Sequence, residues 1–426
     1  MELVIVMLIV AALVLVVRAG LPAPVARRVL PVLLAAFAAR LAAHVSLKGG
    51  ALFDYGGDNV LYDLWAGEIA DQWRRDGVSY VTVNAAGRLY GAALHCNILA
   101  LLRYICGGPV PLASAALMAL MACVLCVVMY RFARMLGADD RGAFWLLVVV
   151  AFMPGFLLHT SDTYKDGVNA LLVVASLAVG VSLTRRCTLG KLLTLVPLLW
   201  ALWNIRPYMA FMCLLPLALG LSGLRQVVSL RSLVVLTALA MVVLFRFDFV
   251  MQSEPIEAMR DQLEFAQSPA AQMSNAGVSG WHNGSGVGFE DDGSPWGALG
   301  AKLVYTLLSP FPWTPGSLAL QLGKIDTCLW YALLCFGVAG GRRLWRHDRR
   351  TLLILLLFLV PSALAYATTM ANIGLIARQR MPLVMVTSLL CALAWTRASS
   401  GSPAEPEIGA EGPTEPERTA RQAVRS

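Results

Sequence analysis

Val110-Pro-Leu-Ala-Ser-Ala-Ala-Leu-Met-Ala-Leu-Met-Ala-Cys-Val-Leu-Cys-Val-Val-Met-Tyr-Arg-Phe-Ala133 decides the fold class. It holds 24 residues with one charge, Arg131, near its end. As a helix rising 1.5 Å per residue it is about 36 Å long, enough to cross the roughly 30 Å hydrocarbon layer of a bilayer. Similar apolar blocks recur on both sides, near 2–17, 29–46, 143–159, 167–184, 191–205, 208–223, 232–246, 327–341, 351–369 and 381–396. The reading is an all-α, polytopic transmembrane bundle of about eleven crossings. Whole-chain composition agrees: 58% of the 426 residues are hydrophobic and 14% charged, against about 25% charged in soluble domains. Mean hydropathy is +0.68. An ordinary cytosolic enzyme is excluded.

The net charge of +8 does not point to nucleic acid, because the basic residues sit in short loops between apolar blocks. They read as orientation signals. Arg18/Arg27/Arg28, Arg131/Arg134/Arg141, Arg185/Arg186/Lys191, Arg225/Arg231 and the run from Arg342 to Arg350 all fall on one side of an eleven-span chain, the cytoplasmic one. The N-terminus is then outside and the C-terminus inside. Both long loops fall outside. The first, 47–87, carries Asp54, Asp58, Asp63, Glu68, Asp71 and Asp76 against Lys48, Arg74 and Arg75.

The organisation that follows is two helices in 1–46, an outer loop over 47–109, a membrane core over 110–246, a second long outer loop over 247–326, further spans in 327–396 and a tail over 397–426. Within the first loop, Leu61, Leu64, Trp65, Ile69 and Trp73 fall on one face of an amphipathic helix that lies on the outer leaflet. Segment 88–106 is apolar but holds Arg88, His95, Asn97 and Arg103, and reads as interfacial or re-entrant. The second loop divides into an acidic part, a Gly-rich part around Gly284–Gly288 and an apolar re-entrant part. The tail, rich in Pro, Glu, Gly and Ser, cannot bury a core and reads as disordered. Most of the nine cysteines, including the Cys123/Cys126 pair, lie inside apolar blocks and read as packing.

Charges close to a membrane persist where they pair, face a cavity or perform chemistry. On the outer face these are Asp54 and Asp58 in Phe53-Asp-Tyr-Gly-Gly-Asp58, then Asp162, Lys165 and Asp166 in Thr160-Ser-Asp-Thr-Tyr-Lys-Asp166, then Arg206, Arg378 and Arg380. The three arginines break the positive-inside pattern. Singly, each could snorkel to lipid phosphates; converging with carboxylates, they form an anion site. Asp58 could cap the helix that follows it, or it and Asp54 could act as a base and an orienting group. The run Ser309-Pro-Phe-Pro-Trp313-Thr-Pro315 cannot continue a helix and suits an interface or a lid. His282 and Trp281 could meet a substrate.

These motifs, in this order, resemble the polytopic glycosyltransferases of the GT-C superfamily. Asp58-Asn-Val-Leu-Tyr62 with its amphipathic helix is similar to the first-outer-loop Asp and Tyr of that family. Phe144 to Asp166 is similar to its second outer turn. Ser309-Pro-Phe-Pro-Trp313 and Arg378-Gln-Arg380-Met-Pro382 resemble the Pro-Phe-Pro-Trp and Arg-Tyr-Arg-x-Pro signatures of many bacterial members. The likeness runs over about residues 50 to 396. Departures are an additional first helix, Gln379 in place of an aromatic, and no counterpart of the long soluble C-terminal domain of oligosaccharyltransferase-like members.

The resemblance implies an enzyme of the bacterial inner membrane, acting on the extracytoplasmic face with its tail in the cytoplasm. It would move a sugar from a polyprenyl-phosphate donor to a glycan or glycolipid acceptor. Asp58, with Asp54, would be catalytic; Lys165, Arg206, Arg378 and Arg380 would bind the lipid-carrier phosphate; Tyr62, Asp166 and Trp313 would contact substrate. No metal motif is present, and a divalent cation (Mg or Mn) on Asp54 and Asp58 is an option that needs several oxygen ligands. Competing readings are an O-antigen-polymerase or ligase-like enzyme acting on lipid-pyrophosphate glycans, a transporter, and an assembly protein of an export complex. A transporter would show internal repeats and mid-membrane polar sites, which the sequence does not.

Overall fold

The computed structural model describes residues 1–49, 58–82, 89, 91–221, 296–313, 318–369 and 373–396. The expected span 232–246, Asp54, Trp281, His282, the run Gly284–Gly288 and the tail lie outside the described residues. All regular structure among the described residues is helical: α1 Glu2–Gly20, α2 Ala23–Gly49, α3 Asp58–Asp76, α4 Ala93–Cys106, α5 Pro111–Leu136, α6 Asp140–Phe152, α7 Pro154–His159, α8 Asp166–Arg185, α9 Leu189–Trp203, α10 Pro207–Leu221, α11 Leu299–Leu308, α12 Leu318–His347, α13 Arg349–Thr369, α14 Ile373–Gln379 and α15 Met381–Trp395.

Five of these are long and apolar enough to cross a membrane: Glu2–Gly20, Ala23–Leu47, Pro111–Leu136, Asp166–Arg185 and Arg349–Thr368. Further apolar helices are shorter, among them α4, α9, α11 and α15. The stretch that decides the fold class becomes α5, the centre of the bundle, packed against α1, α2, α6 and α8. Peripheral α1 instead leaves Leu3, Val4, Met7, Leu8 and Leu15 exposed. An apolar face of that size, open on an isolated chain, is the signature of a surface that meets lipid.

Close helix contact depends on small residues where backbones meet. A side chain at Gly340 of α12 would reach within 1.8 Å of the Leu390 carbonyl oxygen of α15, so only glycine fits.

Polar contacts sort the helix ends into two groups. At one end Arg185 bonds the Met135 carbonyl at 2.6 Å and pairs with Asp348 at 3.3 Å. There Arg343 bonds the Thr396 carbonyl at 2.8 Å, and Arg28 lies 3.8 Å over the Phe144 ring. At the other end α3, α4, the 160–166 turn and residues 204–206 and 378–380 gather. The Glu2 carboxylate of α1 accepts the Leu112 and Ala113 N–H groups at 2.7 and 3.0 Å, satisfying free donors at the start of α5.

Two expectations differ in detail. Segment 143–159 is not one helix: it breaks at Met153, which takes an extended conformation (ψ 121°), and restarts at Pro154. Proline disfavours the helical conformation in the residue before it and opens helices well. On α3 the buried face is Tyr62, Ala66, Ile69, Ala70 and Trp73, while Leu61 and Leu64 are exposed together with Val60. The helix must bury its Tyr62 side against α4, which leaves the leucines facing outward.

Candidate functional site

The first element of the site is α3, whose opening residue is Asp58. Its carboxylate is ion-paired with the Arg378 guanidinium, 320 residues away in the chain. Arg378 sits near the end of short α14. Its Nε lies 3.1 Å from a second carboxylate, Asp166, which opens α8. Asp166 in turn pairs with Arg206, from the three-residue connection between α9 and α10. Arg206 also donates to the Tyr208 hydroxyl at 2.9 Å, and Arg378 lies 5.3 Å over the Tyr164 ring. The result is a chain of alternating charge, Asp58–Arg378–Asp166–Arg206.

Exposure separates the two carboxylates. The side chain of Asp58 is 43% exposed, those of Asp166 and Arg206 only 3% and 5%. Asp166 is a buried counter-ion; Asp58 is the member a substrate can reach.

Lys165 adds a third cation. It donates to the Gly91 carbonyl and lies 5.4 Å over the Tyr62 ring. Burial, helped by the neighbouring Arg206 charge, brings its ammonium down to about 8. Gly91 has φ +64°, in the left-handed region, which orients its carbonyl at negligible cost only because it is glycine. Tyr62 stacks edge-on with His95 at 5.2 Å, and the His95 ring nitrogen meets the Thr163 carbonyl at 2.7 Å. His95 and Asn97, two of the polar residues in segment 88–106, therefore anchor neighbouring backbone: Asn97 bonds both the N–H and the carbonyl of Val81, at 3.0 and 2.9 Å.

Two predicted residues stand elsewhere. Arg380 is buried and donates to the Thr306 and Leu307 carbonyls, both at 3.2 Å, at the end of α11. It holds that helix terminus, with Trp330 and Tyr331 of α12 bonding the Leu307 and Leu308 carbonyls beside it. Trp313 is 76% exposed and stacked on Phe311 at 5.1 Å.

Arg40 and His44 of α2 were not among the predicted site residues. Arg40 is fully buried and donates to the Thr160 hydroxyl at 2.7 Å and the Ala36 carbonyl at 3.0 Å; its second terminal nitrogen has no hydrogen-bond partner among the described residues. Thr160 packs against Gly167, beside Asp166. His44 lies 3.7 Å from Asp162, which also accepts from Asn59, the neighbour of Asp58, at 2.9 Å. This layer fixes the two carboxylates on either side of Arg378. The signal was in the sequence: an arginine inside a membrane-length apolar block.

Three cations and two carboxylates leave the cluster one positive charge in excess, in a largely buried place where charges act strongly. The arrangement suits an anion. Among the described residues no group of three or more His, Cys, Asp or Glu side chains is placed to hold a metal. The described neighbours of Asp58 and Asp166 are guanidinium groups, while Asp54, the other member of the expected cation pair, lies outside the described residues. No family model matches the chain, and no curated protein matches it significantly.

Proposed function

We propose that the protein is a GT-C-like membrane glycosyltransferase that transfers a sugar from a polyprenyl-phosphate donor to a glycan or glycolipid acceptor on the extracytoplasmic face of the inner membrane. One observation carries this reading: an accessible carboxylate, Asp58, adjoins a cluster with excess positive charge at one end of an apolar helical bundle. The segregation of helix ends supports the relative sidedness expected of the described loops. Loops with the same predicted sidedness meet one another at each end of the bundle.

Asp58 accepts the proton of an acceptor hydroxyl. The hydroxyl oxygen attacks the anomeric carbon of the donor as the bond from that carbon to the phosphate oxygen breaks. The electron pair leaves with the polyprenyl phosphate, and configuration at carbon inverts. Lys165 and Arg378 stabilise the negative charge gathering on the phosphate. Arg206 acts from behind, through Asp166. In the unliganded cluster Arg378 is held by Asp58; a donor phosphate competes for that guanidinium and releases the carboxylate for its role as base.

The test is transfer of radiolabelled sugar from polyprenyl-phosphate donors by the full chain in proteoliposomes, wild type against Asp58→Asn. Transfer by the wild type that is lost in the variant supports the reading. Activity only with lipid-pyrophosphate-linked glycans would replace it with the polymerase or ligase alternative.

A further inference from the structure

A cavity runs along α3, the helix that Asp58 opens. It has a volume of about 230 Å³ and is lined by Trp65, Glu68, Ile69, Gln72, Arg75, Val81 and Leu89. Trp65, Glu68, Gln72 and Arg75 follow at intervals of three, four and three residues, so they share one stripe of α3. In a packed helix such a stripe would be apolar. Here its members are half-buried or exposed, and it faces open space.

The opposite wall is held in place. Asn97 bonds the Val81 backbone on both sides, and the Trp73 indole donates to the Ser79 carbonyl at 2.6 Å. The Trp65 and Tyr62 rings lie 6.0 Å apart, and the Tyr62 ring lies 5.4 Å beneath the Lys165 ammonium, so one aromatic ring separates the cavity's Trp65 from the charge cluster.

We propose that this groove is a saccharide-binding subsite that holds the acceptor as an oligosaccharide. The reasoning is chemical. A pyranose presents an apolar face of C–H groups, whose weakly positive hydrogens suit the negative face of an indole. Its edge is a row of hydroxyls that both donate and accept. Glu68 accepts, Arg75 donates and Gln72 does both, while Ile69, Val81 and Leu89 form the apolar floor. A lipid tail would not suit this polar stripe, and a phosphate would meet Glu68. Asp58 and Trp65 are seven residues apart on the same face of α3, two helical turns or about 10.5 Å. A sugar on Trp65 and a hydroxyl at Asp58 must therefore belong to a chain of linked sugars, and a monosaccharide cannot reach both. The inference rests on the glycosyltransferase reading for the meaning of "acceptor", but the binding itself does not.

The experiment is tryptophan fluorescence of the full chain in lipid nanodiscs, titrated with oligosaccharides released by mild acid from the surface polysaccharide of the producing cell. Free glucose, galactose and rhamnose serve as monosaccharide probes. Binding should saturate with oligosaccharide and weaken at least tenfold in both Trp65→Ala and the double variant Glu68→Gln/Gln72→Ala. Trp65→Phe should retain most of it. The double variant changes only exposed or half-buried side chains, so it keeps the test open if Trp65→Ala does not fold. Absence of saturable binding, or equal affinity in wild type and the double variant, overturns the proposal. Asp58→Asn separates the two readings: if it binds oligosaccharide normally and still transfers sugar, the catalytic reading fails while the subsite stands.

Discussion

Replacing Asp58 with Asn preserves side-chain shape and removes the charge and the ability to take a proton. Two consequences of different size follow. Stability changes little, because Asp58 is 43% exposed and Arg378 retains Asp166 at 3.1 Å, so no charge is left buried alone. A partly screened pair of this kind is worth no more than about 1 kcal/mol. Catalysis changes much more. A positioned general base contributes roughly 100- to 10,000-fold, which at about 1.4 kcal/mol per factor of ten is some 3–5 kcal/mol of barrier. The assay is initial rate of sugar transfer at saturating donor, with protein amount and thermal unfolding measured on the same nanodisc preparation. The expected result is a rate at least 100-fold lower with an unfolding midpoint close to wild type. An Asp58→Asn rate within about threefold of wild type would refute the assignment of Asp58 as base, because no other described carboxylate in the cluster is accessible.

Other expectations separate the roles of the remaining residues. Asp166→Asn removes the shared counter-ion of two buried arginines and should destabilise the protein by roughly 3–5 kcal/mol, seen as a large drop in the unfolding midpoint; an unchanged midpoint contradicts the buried-pair geometry. Lys165 must be protonated to hold a phosphate, and burial brings it to about 8, so affinity for a polyprenyl-phosphate donor should fall as pH rises through that value. In Lys165→Arg the guanidinium stays charged and the fall should vanish. The folded state holds the Lys165 proton less tightly than the unfolded chain does, so this residue's contribution makes stability rise with pH between about 8 and its ordinary value near 10.4. Arg40→Met removes a buried cation with no carboxylate partner among the described residues; stability should hold or improve, while transfer slows by up to about 100-fold as the 160–166 turn shifts. Equal activity would show that Arg40 does not position the site. Finally, Cys187, exposed just beyond α8, should react with a membrane-impermeant maleimide only after cells are opened, whereas a cysteine placed at Gly77 should react in intact cells. The reverse pattern would invert the proposed topology.

The membrane class of the fold is legible from the sequence alone because it depends on a local quantity. An apolar block of sufficient length must form helix in lipid to satisfy its own backbone, whatever its neighbours are. That suffices for α5 and α8, and the start of α3 at Asp58 can be read in the same way from periodicity. Even the break at Met153 is local, since Pro154 imposes it.

The site is not local, and tertiary structure decides it. Arg378 and Arg380 are two residues apart in one motif and look equivalent, yet α14 ends between them. One turns to Asp58 and Asp166, while the other binds the free carbonyls of α11. Asp58 meets a cation from the far end of the chain, Arg378, which no local spacing could announce. The stripe from Trp65 to Arg75 is ordinary in the sequence, and lines a cavity only because the fold sets Val81 and Leu89 across from it. Hydrophobic length is set by consecutive residues. Charge pairing depends on distances between helices that packing alone establishes, and packing is a property of the whole bundle.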